Sequence, residues 1–173
     1  TYCNWELILC DDGSSDNTYE VAQKLAAMDS RIILLRNPQN QGLNQTLNNC
    51  LAAATGKYIA RMDGDDDCAP ERFEKQITFL EKHPEYQITS CPMKLFDQNG
   101  VWGQTVVPEF PTPKEVVSGT PISHAAVMLR KECIDAVGGY TVNKHMLRVE
   151  DVNLWIKLYA AGYRCCNIQE PLY

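Results

Sequence analysis

The stretch that decides the fold is Tyr58-Ile59-Ala60-Arg61-Met62-Asp63-Gly64-Asp65-Asp66-Asp67, a short strand-like run that empties into four carboxylates. A buried strand ending in acidic side chains sets hard oxygen ligands at the lip of a sheet, and such ligands suit Mg²⁺, Mn²⁺ or Ca²⁺. In open α/β sheets, ligands gather at the carboxyl ends of the strands. The residues on either side repeat the pattern. Glu6–Cys10 and Arg31–Arg36 are apolar strand-length runs. Asn17, with Glu20 three residues on, reads as a helix N-cap with a capping box, and Val21, Leu25 and Met28 fall on one helical face. A second helix over Leu43–Ala54 presents Leu43, Leu47, Cys50, Leu51 and Ala54. A third, starting near Pro70 and ending before His83-Pro84, turns Ile77 and Leu80 inward. Strand, helix, strand, helix, strand, helix predicts a mostly parallel sheet flanked by helices.

The second half is less regular and predicts a smaller mixed part. Ile88–Leu95 and Val101–Val107 read as strands around an Asn99-Gly100 turn, and Pro108–Pro121 as a loop with one helical turn. Ala125–Leu129 reads as a strand, Lys131–Val137 as a helix ended by Gly138-Gly139, and Thr141–Val149 as a polar mobile loop. Glu150-Asp151 opens a helix with Val152, Trp155 and Tyr159 on one face, and Tyr163–Ile168 is a last strand.

The 173 residues fit one domain with a sizeable core. The net charge of -6 and the lack of a Lys/Arg run argue against nucleic acid as partner. An anionic ligand would need a cation between it and this acidic chain. The eight cysteines include no C-x-x-C pair, so neither a structural zinc site nor a thioredoxin-like motif is indicated. Free thiols in a reducing cytosol are the preferred reading and a disulfide-stapled secreted domain the weaker one. Asn44-Gln45-Thr46 matches a glycosylation acceptor by its spacing alone. No apolar run reaches membrane-span length.

Three constellations carry the chemistry. An EF-hand reading of Asp63, Asp65, Asp67 and Glu74 fails because Cys68 stands where that loop requires glycine. The surviving reading is an Asp-x-Asp metal site for a nucleoside diphosphate, with Gly64 allowing both carboxylates to reach one side. Asp11-Asp12-Gly13-Ser14 also follows a strand and precedes a helix, where a carboxylate can accept from a uracil imide N–H. Glu150-Asp151 can serve as general base, or simply as favourable charge at a helix N-terminus. His124 is a second candidate.

Together these pieces resemble the family 2 glycosyltransferases of GT-A fold. The resemblance runs through Trp5–Thr18, Asn40-Gln41-Gly42 with Asn48, Gly56–Asp66, Arg130-Lys131 with Val137–Tyr140, and Glu150–Trp155. It implies a Rossmann-like α/β domain over 1–173, with 1–95 binding the nucleotide sugar and 96–173 the acceptor. It implies Asp11, Asp12, Gly13 and Ser14 around the nucleotide, with Asp63 at ribose or metal and Asp65 on Mn²⁺ or Mg²⁺. Asp151 would be the base with Glu150 beside it, and His124 and Trp155 would contact acceptor or phosphate. The implied reaction is an inverting displacement from a UDP-sugar onto a hydroxyl of a saccharide or lipid-linked acceptor, in bacterial cell-wall or capsule synthesis. It would take place in the cytoplasm or at the inner face of a membrane with which the full protein associates peripherally. A non-catalytic nucleotide-sugar-binding module and a receiver-like phosphoryl-handling domain are the alternatives. The family begins with a strand and helix ahead of Trp5 that this sequence lacks, so the expectation is a fragment of a longer chain. These 173 residues alone would bind nucleotide weakly or not at all.

Overall fold

Three β–α units open the chain: β1 (Leu7–Asp11), α1 (Thr18–Met28), β2 (Ile32–Arg36), α2 (Leu43–Ala53), β3 (Tyr58–Ala60) and α3 (Arg72–Lys82). The structure, a computed structural model, describes residues 1–143 and 148–173. Residues 144–147, inside the expected loop over 141–149, lie outside the described residues. β1 and β2 pair in parallel with Asp11 opposite Arg36, as a crossover through α1 requires.

The second half contributes β4 (Ile88–Ser90), β5 (Lys94–Asp97), β6 (Gly100–Gln104), α4 (Pro113–Ser118), β7 (Met128–Arg130), α5 (Lys131–Ala136), α6 (Glu150–Ala160) and β8 (Cys165–Asn167). Strands β3, β7, β4 and β8 form one sheet in that order. β7 runs antiparallel to both β3 and β4, whereas β4 and β8 are parallel. The parallel order expected of the first three strands holds only for β1 and β2: β3 lies in a different sheet, where β7, a strand from the second half, separates it from β4. The long β6–β7 connection lets the chain re-enter from the opposite end, an option that local periodicity does not encode. The run expected as one strand over Ile88–Leu95 splits into β4 and β5. β5 and β6 form a separate hairpin with a bulge between Leu95 and Phe96, and Gly100 takes a φ of 109° at its turn.

The core lies between the four-stranded sheet and α6. Ile88, Val127, Leu129, Ile134, Leu154, Trp155 and Leu158 are all essentially inaccessible. Trp155 and Tyr159 are buried as their spacing predicts. The first half departs from its apolar pattern. Val21, Leu25 and Met28 are exposed, Met28 at 82%, and Ala22 is the buried residue of α1. Strands lie about 4.8 Å apart, so a two-stranded sheet offers too narrow a face to bury that stripe. The capping box is also absent: Asn17 makes no side-chain cap, and Asp16 Oδ1 instead accepts from Thr18 N at 3.0 Å. All eight cysteines are free thiols.

Candidate active site

The first acidic motif divides its labour. Asp12 Oδ1 accepts from Asn37 Nδ2 and Gln41 N, both at 2.8 Å, and Oδ2 from Gly42 N at 3.0 Å. Burial opposes its ionisation, but the hydrogen bonds from Asn37, Gln41 and Gly42 prevail and lower its pKa. Asp12 therefore holds the 37–42 loop. Asp11 ends β1, buried, with Oδ1 accepting from Ser14 N at 3.3 Å. Its Oδ2 lies 3.2 Å from Arg36 Nε as an ion pair yet has no hydrogen-bond donor among the described residues. Gly13, at φ 74°, is required here because a Cβ would come within 2.8 Å of Asn40 N.

The acidic loop after β3 is fastened at several points. Asp63 Oδ1 sits 2.6 Å from Arg61 Nη2. Asp63 N donates to the Tyr173 hydroxyl at 3.0 Å, and that hydroxyl donates to Asp66 Oδ2 at 2.9 Å. Asp67 Oδ1 accepts from Cys68 N at 2.7 Å. Asp65 is exposed. Beneath the loop lies Arg72, fully buried. Its Nη2 donates to Arg61 O at 2.8 Å and Val127 O at 3.2 Å, and its Nε donates to Gln76 Oε1 at 3.1 Å. Its guanidinium carbon lies 5.0 Å from the Tyr173 ring centroid. Gln76 in turn donates to Ala126 O at 2.9 Å. Arg72 thus joins the exit of β3 to the entry of β7. Sequence reasoning passed over Arg72, Gln76 and Tyr173. The signal was there, since Arg72, Gln76 and Leu80 lie at i, i+4 and i+8 on one helical face.

Glu150 and Asp151 open α6, and Asp151 Oδ1 accepts from Val152 N at 2.8 Å. They share a cavity of about 600 Å³ with Arg61, Asp63 and His124, closed on one side by Thr105, Val106 and Ile122. The structure thus brings Asp63 together with Glu150 and Asp151. Asp65 does not line that cavity, nor do Asp11, Asp12, Gly13 and Ser14. His124 Nε2 lies 2.8 Å from the Tyr140 hydroxyl, and the imidazole meets the Trp155 ring edge-on at 5.8 Å. Burial first, then the Arg61 charge, pulls the His124 pKa down to about 3. Trp155 is fully buried behind His124 and does not line the cavity. A smaller cavity of about 260 Å³ at the other end of β3, lined by Lys57, Arg130 and Lys131 among others, is remote from these carboxylates.

Two asparagines of α2 tie the halves together. Asn48 Nδ2 donates to Tyr140 O and Asn48 Oδ1 accepts from Tyr140 N, both at 2.8 Å. Asn44 Nδ2 donates to Thr141 O at 2.9 Å, and Thr141 Oγ1 donates to Asn153 Oδ1 on α6 at 2.7 Å.

The acidic loop after β3 and the carboxylates that open α6 meet on one cavity, apart from the parallel β1–β2 pair. The model of the family described as "Glycosyl transferase family 2" matches residues 1–144, and the chain belongs to that family. It is 45% identical over 174 residues to the protein named "Putative glycosyltransferase EpsE" of Bacillus subtilis (strain 168), covering 100% of this chain and 63% of that one. It is 33% identical to the amylovoran biosynthesis glycosyltransferase AmsE of Erwinia amylovora, covering 96% and 62% of the two chains. It is 30% identical to WfaP of Escherichia coli, named as a UDP-Glc:alpha-D-GlcNAc-diphosphoundecaprenol beta-1,3-glucosyltransferase, covering 96% and 63%. The chain therefore spans less than two thirds of these relatives. Among solved structures, Staphylococcus aureus TarS 1-349 superposes with a TM-score of 0.76 at 19% identity, covering 97% of this chain and 50% of that one. The mannosyltransferase PcManGT of Pyrobaculum calidifontis, solved with GDP-Man and Mn²⁺, gives 0.70 at 20%, covering 95% and 46%. The GT-A fold expected from the sequence is the fold observed.

Proposed function

We propose that this glycosyltransferase moves a sugar from a UDP-sugar to a hydroxyl of a lipid-linked saccharide acceptor by a single inverting displacement. The carrying observation is that Asp63 from the β3 loop and Glu150-Asp151 from α6 line one cavity although they lie far apart in sequence. Asp151 takes the proton of the acceptor hydroxyl as that oxygen attacks the anomeric carbon. Glu150 raises the negative potential beside it. Asp11 receives the uracil N–H on its donor-free oxygen, and Gly13 and Ser14 shape the loop beside it. Residues 1–95 hold the donor and 96–173 the acceptor. The acceptor class follows from what WfaP is named to act on, and the inner face of a bacterial membrane is where such an acceptor is met. Among the described residues no helix is long and apolar enough to cross a membrane.

The donor set fits a divalent cation of the Mg²⁺ or Mn²⁺ kind. No cluster of three or more acidic, His or Cys side chains poised to hold a cation occurs among the described residues. Asp65 is nonetheless exposed, and one oxygen of Asp63 lies beyond its Arg61 contact. One or two carboxylates completed by substrate phosphates are how Mg²⁺ is usually held. Bound by Asp65 and Asp63, the ion would supply charge neutralisation for the departing diphosphate.

Nucleoside diphosphate release from a panel of nucleotide sugars, with Mn²⁺ or with chelator, tests the reading on the full chain. Asp151→Asn abolishes transfer while sparing nucleotide binding. Transfer retained in that variant removes Asp151 from the base role, and chelator-insensitive turnover removes the metal.

A further inference from the structure

The His124–Tyr140 pair has a directional consequence. Tyr140 is buried, and burial raises its phenol pKa, so the hydroxyl keeps its proton and has to donate it. Its one hydrogen-bond partner among the described residues is His124 Nε2 at 2.8 Å. If Nε2 carried a proton, two donors would face each other or the phenol proton would be left without an acceptor. The phenol therefore donates to Nε2, and the neutral imidazole carries its proton on Nδ1. Nδ1 has no protein partner among the described residues and is not among the buried atoms left unpaired, and His124 lines the cavity with Arg61, Glu150 and Asp151.

We propose that Tyr140 fixes His124 as the Nδ1–H tautomer, and that this N–H is a hydrogen-bond donor to a sugar hydroxyl oxygen held in the cavity beside Asp151. This rests on the transferase reading above. The groups facing the imidazole are Arg61 at the end of β3, Trp155 and the Glu150-Asp151 pair of α6, and Tyr140 itself. The low pKa of His124 keeps it a neutral donor at any working pH. A neutral N–H can hold a sugar oxygen close to the base without competing for the proton that Asp151 must take. Tyr140 acts through His124 and is a positioning residue.

The tautomer is read directly from imidazole ¹H–¹⁵N correlation spectra of the full chain, with His124 assigned by its loss in His124→Gln. The expected signature is a protonated Nδ1 and an unprotonated Nε2, changed in Tyr140→Phe; a protonated Nε2 overturns the proposal. Kinetics test the donor. An Asn amide nitrogen mimics Nδ1 and a Gln amide nitrogen mimics Nε2. His124→Asn should therefore keep more activity than His124→Gln, by about threefold to tenfold in kcat/KM, as one hydrogen bond predicts. Equal losses, or a better Gln variant, overturn it, because a purely structural histidine needs only its bond to Tyr140. A difference that also appears in donor hydrolysis without acceptor places the oxygen on the donor sugar. A difference confined to transfer places it on the acceptor. A wild-type chain without transferase activity defeats the functional reading while leaving the spectrum to decide the tautomer.

Discussion

Asn48 grips the backbone of Tyr140 from both sides, donating to its carbonyl and accepting from its N–H at 2.8 Å each. The two residues lie on opposite halves of the chain, and Gly139 lets them meet, since a Cβ there would come within 2.5 Å of Asn48 Oδ1. Replacing Asn48 with Ala leaves both backbone groups of a buried residue without their partner. The expected loss is about 1–3 kcal/mol of unfolding free energy, measured by urea denaturation. Asn48→Asp should cost at least as much, because a carboxylate oxygen would then face the Tyr140 carbonyl. Gly139→Ala should destabilise as well, both through that clash and through its φ of 66°.

Tyr173→Phe removes the hydroxyl that binds Asp63 N and Asp66 together. Stability should fall by about 1 kcal/mol. The Mn²⁺ concentration giving half-maximal activity should rise several-fold, because the loop that offers Asp63 and Asp65 is no longer held. A metal titration at saturating donor checks this. An unchanged half-point would mean that the loop keeps its shape without the phenol.

Arg72→Met replaces a buried cation that has no carboxylate partner among the described residues with an apolar side chain of similar length. Removing a buried charge relieves desolvation, but the carbonyl of Arg61 and the amide oxygen of Gln76 lose their Arg72 donor, and Val127 O keeps only the Arg61 N–H. The carbonyl side should dominate, with a net loss of about 2 kcal/mol or more. Adding Gln76→Leu should recover part of it, and thermal melts of the single and double variants measure the recovery.

Acidification should destabilise the fold in two stages. The His124 pKa is depressed from 6.5 to about 3 in the folded protein. The stability linked to it is complete above 6.5 and is lost as pH falls below that value, at up to about 1.4 kcal/mol per pH unit. Asp12, whose pKa lies below 3.8 in the fold, contributes stability above that value that is lost as pH falls through its folded pKa. His124→Gln should flatten the upper slope and Asp12→Asn the lower one, in unfolding curves taken across the range.

What the sequence disclosed is what local chemistry controls. The bounds of Ile32–Arg36 and Leu43–Ala53 were legible to within a residue or two, although α2 buries Asn44 and Thr46 and leaves Leu43 of its expected apolar stripe exposed. The acidic loop was legible because several carboxylates after a strand serve few structural ends. Partner choice at long range was not. Nothing near Asn48 names Tyr140, and nothing near Arg72 says that its partners are backbone carbonyls rather than water. Trp155 follows the two acids by about one helical turn, and its bulk lies fully buried against His124. Asp12 and Asp11 are adjacent and chemically identical; only the folded 37–42 loop separates the structural carboxylate from the one with an oxygen to spare.

The tie between Tyr173 and Asp66 also sets an order of events. During synthesis the Asp63–Asp67 segment leaves the ribosome more than a hundred residues before the phenol that closes it. The nascent chain therefore carries its carboxylates on an unfastened loop, and such a long-range contact pays its loop-closure entropy late in folding. The loop is fastened only when that distant phenol docks, so a partly folded chain presents these carboxylates unheld.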